Sequence, residues 1–393
     1  MPISPAKEFF WWRKGRSFSR FQPIATKKTS TMAQLESATP ERSYRNRIQE
    51  AASAIDECDF LLVATGAGFS ADSGLPTYTQ VASNPVYEKQ DIEYGDLCRV
   101  SCLKDRPSLF YGFWGTCYNM YQEASPHEGY HIVKKWCQEK PAIDASSSKT
   151  SPFFHYTSNV DGYWRRVGLS QNVVHEMHGC ISTWIGLSNL DEHFDGSSKN
   201  ILIDLNKDFR FPVEPETLEM QPPLARACLE SETRRNDEGM ELNQSSSQHY
   251  RPRVLMFDDG FDAHKAMRLE QSSERYQAWE EEMESHMAAN PTAKLVVLEI
   301  GCGIRVPSVR RECEDVIRDT AVRCNNTRDV EGGSVLKRCY FIRINPDNYE
   351  IELGTDLPAT AMGIIKTISI EDSALKVCVD IQEELTRRRG SND

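Results

Sequence analysis

Apolar residues along the chain fall into short continuous runs separated by amphipathic or polar stretches. Phe60 to Thr65 (FLLVAT), Phe153 to Asn159 (FFHYTSN), Val173 to Met177, Val254 to Phe257, Leu295 to Ile300 and Cys339 to Ile344 read as strands, most of them of the kind buried on both faces. Between them, Ile48, Ala51, Ala52 and Ile55 recur at helical spacing within residues 44–58, and residues 266–287 read as a second helix. Ser125-Pro126-His127-Glu128 has the form of a capping box with Pro at the first helical position, opening a helix to about Lys140. This alternation predicts an α/β fold built on a doubly wound parallel sheet, with ligands at the carboxyl ends of its strands.

The rhythm fails between Cys180 and Arg251. Lys199 to Phe211 alternates in part at period two, a half-exposed strand, and a Pro-rich stretch follows. Ser231–Tyr250 is polar and nearly free of large apolar residues, which predicts a loop. The expected organisation is a leader over 1–43 and one domain over 44–393. Its core spans about 44–76, 151–180 and 251–375, and a smaller inserted module spans about 77–150 and 181–250. Glu280, Glu281, Glu282 and Glu284 are expected to form a solvated helix face.

Composition narrows the classes. In 393 residues, 39% apolar content with 14 Tyr and 16 Phe supports a sizeable core. A formal charge of −12 argues against direct nucleic-acid binding, which needs clustered cations. Such clustering occurs only near the start, where seven Lys/Arg face one acid between Met1 and Gln34. That leader is open between a mitochondrial or plastid transit peptide and a plain polar tail. The short Phe9–Trp12 run is no secretory signal, and no apolar run reaches the roughly 20 residues of a membrane span, so the expectation is an intracellular, cytoplasmic or organellar protein with no membrane partner. Twelve scattered Cys read as reduced thiols, and Cys98 with Cys102 lacks a matching pair for zinc. Oligomeric state is left open.

Four stretches carry candidate chemistry. In "TGAGFSADSGLP" (Thr65 to Pro76), Gly66 and Gly68 allow a tight turn close to a phosphate at the start of a helix, although the third glycine of the usual dinucleotide fingerprint is out of place. "TSNVDGYW" delivers Asn159 and Asp161 to the sheet's carboxyl edge. "VVHEMHGC" places His178 there beside Gly179, suited to act as a general base, whereas His175 points to the opposite face and is read as a packing or surface histidine. "LEIGCG", ending in Gly301 and Gly303, resembles a methyltransferase loop at first sight. Arg305 occupies the place of that loop's third glycine, and the other stretches stay unexplained on that reading.

Gly-Ala-Gly-x-Ser-x-x-Ser-Gly-Leu-Pro, then Thr-x-Asn-Val-Asp-Gly, then His-Gly, in this order, resembles the sirtuins, the Sir2-type NAD-dependent protein deacylases. "RPRVLMFDDGF" from Arg251, "GCG" from Gly301 and "RINPDN" from Arg343 extend the resemblance over roughly residues 45–375, closest to a divergent bacterial-type branch. The resemblance implies a Rossmann-like domain with a smaller module, NAD in the cleft between them and an acylated protein or peptide as substrate. By position, Gly66, Ala67, Gly68 and Ser70 would line the pyrophosphate, and Asn159 and Asp161 the nicotinamide ribose and carboxamide. Asp72, Tyr78 and Ser158 would join the cofactor site, Gly301 and Gly303 would keep the backbone thin beside the adenosine, and Asn345 would hold the adenine ribose. His178 would deprotonate a ribose hydroxyl after the acyl oxygen attacks C1′.

Three departures accompany the likeness. Gly74-Leu75-Pro76 is followed by Thr77-Tyr78-Thr79 where the family has Asp-Phe-Arg, with Tyr78 as the aromatic replacement. Ser158 replaces a Gln. Between Cys180 and Arg251 only Cys180 and Cys228 occur, so no zinc is expected and strand pairing around Ile201–Leu205 is expected to hold the small module. NAD hydrolysis, ADP-ribosyl transfer and non-catalytic NAD sensing remain open beside deacylation.

Overall fold

Phe60–Thr65 forms β1, six residues buried without exception, between two parallel neighbours. The computed structural model describes residues 40–76, 80, 84–141, 143, 150–187, 201–236, 249–260, 263–324, 336–354 and 357–390. The further strands are β2 (Phe153–Thr157), β3 (Val174–Glu176), β4 (Gly179–Leu187), β5 (Ile201–Asp204), β6 (His249–Val254), β7 (Leu295–Ile300), β8 (Cys339–Ile344) and β9 (Ile365–Ile370). Six of them make one parallel sheet in the order β3-β2-β1-β7-β8-β9. The order reverses at β1, with β2 on one side and β7 on the other, and the crevice at such a switch point is where open α/β sheets take ligands.

Strand alternation divides the core between two helical layers. Leu61, Val63, Val296 and Leu298 face α1 (Pro40–Glu57), α4 (Glu128–Gln138) and α8 (Ala374–Gly390). Phe60, Leu62, Ala64 and Val297 face α6 (Glu270–Ala289) and α7 (Ser308–Cys324). A sheet clad on both faces needs uninterrupted apolar strands, which is why these runs lack polar alternation. Glu284, expected on a solvated face, is buried instead and meets Arg323 at 2.9 Å.

A second sheet, antiparallel in the order β5-β4-β6, sits beside α3 (Pro107–Glu123) and α5 (Pro222–Asn236). Its core gathers Leu97, Phe110, Phe113, Tyr118, Trp184 and Phe211. β5 pairs with β4 from Ile201 to Asp204, and the Thr183 hydroxyl donates to Asp204 at 2.6 Å.

Four expectations need correction. The run Val254–Phe257 is no strand of the large sheet: β6 ends at Val254 and belongs to the small one. Ser231–Tyr250 is not a loop at its ends, since 231–236 finish α5 and 249–250 open β6, while 237–248 lie outside the described residues. Helix α4, grouped with the small module, packs Tyr130, Ile132, Val133 and Trp136 into the large core. Its N-cap is His127 and not Ser125: the extended His127 accepts from the Gly129 amide through its own Nδ1 at 3.0 Å.

Candidate functional site

The strand ends are laced together before the site begins. The Thr65 hydroxyl at the end of β1 donates to the Thr157 hydroxyl at the end of β2 (2.9 Å), and the Ser158 amide donates to the Thr65 carbonyl (3.1 Å). Thr157 Oγ1 also accepts from the Asn159 amide (3.1 Å), so the chain turns out of the sheet with Asn159 and Asp161 beside the β1 loop. Gly162 follows with φ +71°, a conformation that suits Gly.

Ser70, in the short helix α2 (Ala67–Ala71), ties this corner into one network. Its hydroxyl donates to Asp161 Oδ2 at 2.6 Å and accepts from Asn159 Nδ2 at 3.0 Å. The Tyr130 hydroxyl lies 2.9 Å from Ser70 Oγ. A serine has one proton to give and Ser70 gives it to Asp161, so Tyr130 is the donor. Asn159 Nδ2 donates also to the Gly66 carbonyl (2.9 Å), which spends both of its N–H groups and leaves Oδ1 as its acceptor for a ligand. Asp161 Oδ1 accepts from the Tyr163 amide (2.8 Å). Burial pushes the Asp161 carboxyl above its usual range, against the pull of the Ser70 hydrogen bond.

β3 ends at Glu176, the Met177 amide donates to the Thr157 carbonyl (2.9 Å), and His178 comes next at the same sheet edge. Burial drives its pKa down to about 4, offset in part by a hydrogen bond with the Ser158 backbone. The ring is therefore neutral, one nitrogen donating to that carbonyl and the other carrying a lone pair. Gly179 has φ +87°, and a Cβ there would stand 2.0 Å from the Arg253 carbonyl, so the glycine after His178 lets β4 cross β6. His175 packs elsewhere, 2.9 Å from the Ser272 hydroxyl and stacked on Tyr276.

The glycines of the two loops press on each other. A Cβ on Gly66 or Gly68 would come within 2.7 or 2.8 Å of the Gly301 backbone, and one on Gly301 (φ +66°) within 2.2 Å of the Phe69 amide nitrogen. Close packing of the β1 and β7 turns thus requires them; Gly303 is exposed with open space around it. Next to it, the Cys302 carbonyl accepts from Asn345 Nδ2 (3.1 Å) and Arg310 Nε (2.8 Å). Arg310 Nη2 donates to the Asn348 carbonyl (2.7 Å), so one guanidinium joins the loops after β7 and β8. Beneath them Arg343 pairs bidentately with fully buried Glu299 at 2.8 and 2.9 Å. Cys302 is buried and burial raises its thiol pKa well above the ordinary value, in keeping with packing.

Ala67, Ser70, Asn159, Asp161 and His178 line one cleft between the large sheet's edge and the small module. Gly66, Gly68 and Ser158 stand immediately behind it. Asp72 Oδ2 accepts from the Leu375 amide at 2.7 Å and caps α8. Asn345 and Gly301 lie on the β7–β8 side, Arg305 is exposed, and Tyr78 falls outside the described residues. Sequence reasoning missed Tyr130 and Arg310. It also left undetected the fully buried Arg251, whose bidentate pair with Asp259 (2.6 and 2.8 Å) fixes the turn after β6. Arginines on one side and aspartates on the other of the apolar run Val254–Phe257 are the signal for that pair.

Residues 66–191 match the Sir2 family. An NAD-dependent protein deacetylase of Oceanobacillus iheyensis is 28% identical over 127 residues, 32% of this chain and 48% of that protein. NAD-dependent protein deacylase 2 of Pseudomonas aeruginosa is 26% identical over 158 residues (38% and 57%), and an NAD-dependent protein deacylase of Aquifex aeolicus 31% over 121 residues (31% and 44%). The chain spans about half the length of the curated relatives it matches. A crystal structure of a Sir2 homolog–NAD complex has a TM-score of 0.49 at 15% identity, covering 86% of this chain and 94% of that one. The segment that matches the Sir2 family model is the one that carries Gly66, Ser70, Asn159, Asp161 and His178.

Proposed function

We propose that the protein is an NAD-dependent protein-lysine deacylase of the Sir2 type, consuming NAD and water and releasing nicotinamide, acyl-ADP-ribose and the free lysine. The observation that carries this reading is the convergence of a neutral His178 with Asn159 and Asp161 in one cleft at the sheet's switch point.

The residues fit a nicotinamide nucleotide. A carboxamide offers two N–H donors and one acceptor; Asn159 Oδ1 and the lone pairs left on Asp161 match the donors. The two glycine turns pack directly against each other after β1 and β7, and Asn345 and Arg310 steady the second turn. When bound, NAD supplies an electrophilic C1′ with nicotinamide as leaving group. Asp161 and Asn159 orient that end, the hub at Ser70 keeps both in register, and the acyl-lysine enters over the small module's wall. His178 takes a proton from a ribose hydroxyl on its lone-pair nitrogen, and the Ser158 carbonyl stabilises the imidazolium that forms. An acylated protein or peptide is thus the partner, and an intracellular location fits that substrate.

The test is nicotinamide release from NAD with and without acyl-lysine peptide. Release that requires the peptide and falls at least 100-fold in His178→Ala is expected. Peptide-independent release would replace deacylation by NAD hydrolysis, and tight NAD binding without turnover would leave a sensor.

A further inference from the structure

Past the polar corner the cleft is walled by carbon. The helical segment from Tyr94 and helix α3 contribute Tyr94, Cys98, Phe113, Trp114, Cys117 and Tyr121. Val254, Leu255 and Phe257 close the side beyond His178, with Leu75, Val160 and Val306 between. The charged group among the described lining residues is an acid, Asp161. Burial keeps the two lining thiols protonated, raising Cys98 well above its ordinary pKa and Cys117 to about 12. Trp114 buries its indole N–H with no acceptor among the described residues, a neutral donor that cannot replace the hydration of a carboxylate.

Resting on the deacylase reading, we propose that the acyl group this cleft takes is an uncharged aliphatic chain several methylenes longer than acetyl. Each methylene moved from water onto such a wall favours binding about fourfold. A terminal carboxylate carried onto that wall would lose its water and meet no cation among the described lining residues. Acetyl, with a single methyl, leaves most of the wall uncovered. An octanoyl chain brings six more methylenes to bury against it.

The experiment compares acetyl-, octanoyl- and succinyl-lysine forms of one peptide on the full chain. Turnover is read as nicotinamide release at saturating NAD, and equilibrium binding by titration calorimetry with ADP-ribose present. Octanoyl is expected to exceed acetyl at least 30-fold in kcat/KM and in affinity, and succinyl to fall at least 100-fold below octanoyl. Cys117→Met and Cys98→Leu, which narrow the wall, are expected to lower the octanoyl-to-acetyl ratio at least fivefold, with folding checked by thermal melting. If acetyl or succinyl binds as well as octanoyl, or both narrowed variants keep the wild-type ratio, the proposal is overturned. Octanoyl-selective binding with no turnover of any peptide would overturn the deacylase reading and leave the chain-length preference standing.

Discussion

One hydroxyl, that of Ser70, joins Asp161, Asn159 and Tyr130. Ser70→Ala leaves three buried groups to find new partners, so a loss of about 2–4 kcal/mol in urea unfolding is expected, with nicotinamide release down at least about tenfold. The glycines give a sharper contrast. Gly301→Ala meets both a left-handed φ and the Phe69 amide and should cost at least about 3 kcal/mol, whereas Gly303→Ala, in open space, should change stability by less than about 0.5 kcal/mol. At this scale Asn159, Asp161 and His178 were legible in the chain because a strand end and a motif of a few residues place them. Tyr130 was not, because its partner Ser70 lies 60 positions away and only the packing of α4 brings them together. The tie from Asp72 to α8 was hidden for the same reason: the amide it caps is 303 positions distant.

Elements were readable where a single period governs them. β1 announces itself as an unbroken apolar run, and β7 and β8 as apolar runs with one charged residue each, Glu299 and Arg343, whereas β6 mixes Arg251 and Arg253 with apolar residues and shows its sheet only through pairing with β4. The pair Arg251–Asp259, buried on both sides, implies that Arg251→Ala destabilises by about 3–5 kcal/mol, since it strands an acid in the interior. Strand β2 carries His155, fully buried, its pKa pulled down to about 3 by desolvation. The unfolded chain therefore binds a proton that the folded chain refuses. Stability from this group is complete above about pH 6.5 and is lost as pH falls toward 3, at up to about 1.4 kcal/mol per pH unit. In urea titrations from pH 6 to pH 4, His155→Phe should flatten the slope by about that amount.

At the scale of the whole molecule the sheet was expected as a class, and its strand order was not, because order is set by which distant segments meet. The Asp59 carboxylate accepts from the Lys294 amide across 235 positions, and β1 pairs along its full length with β7. The same topology governs how the protein is made. On the ribosome β1 gains β2 as a neighbour once residue 157 has emerged, but its other edge stays open until residue 295 follows. At about 5–20 residues per second, an apolar strand then waits roughly 7 to 30 s with one row of amides and carbonyls unpaired. The strand that organises the cleft is therefore the one most in need of a chaperone during synthesis, and its loop gains the tie from Asp72 to α8 only after residue 375 has left the exit tunnel.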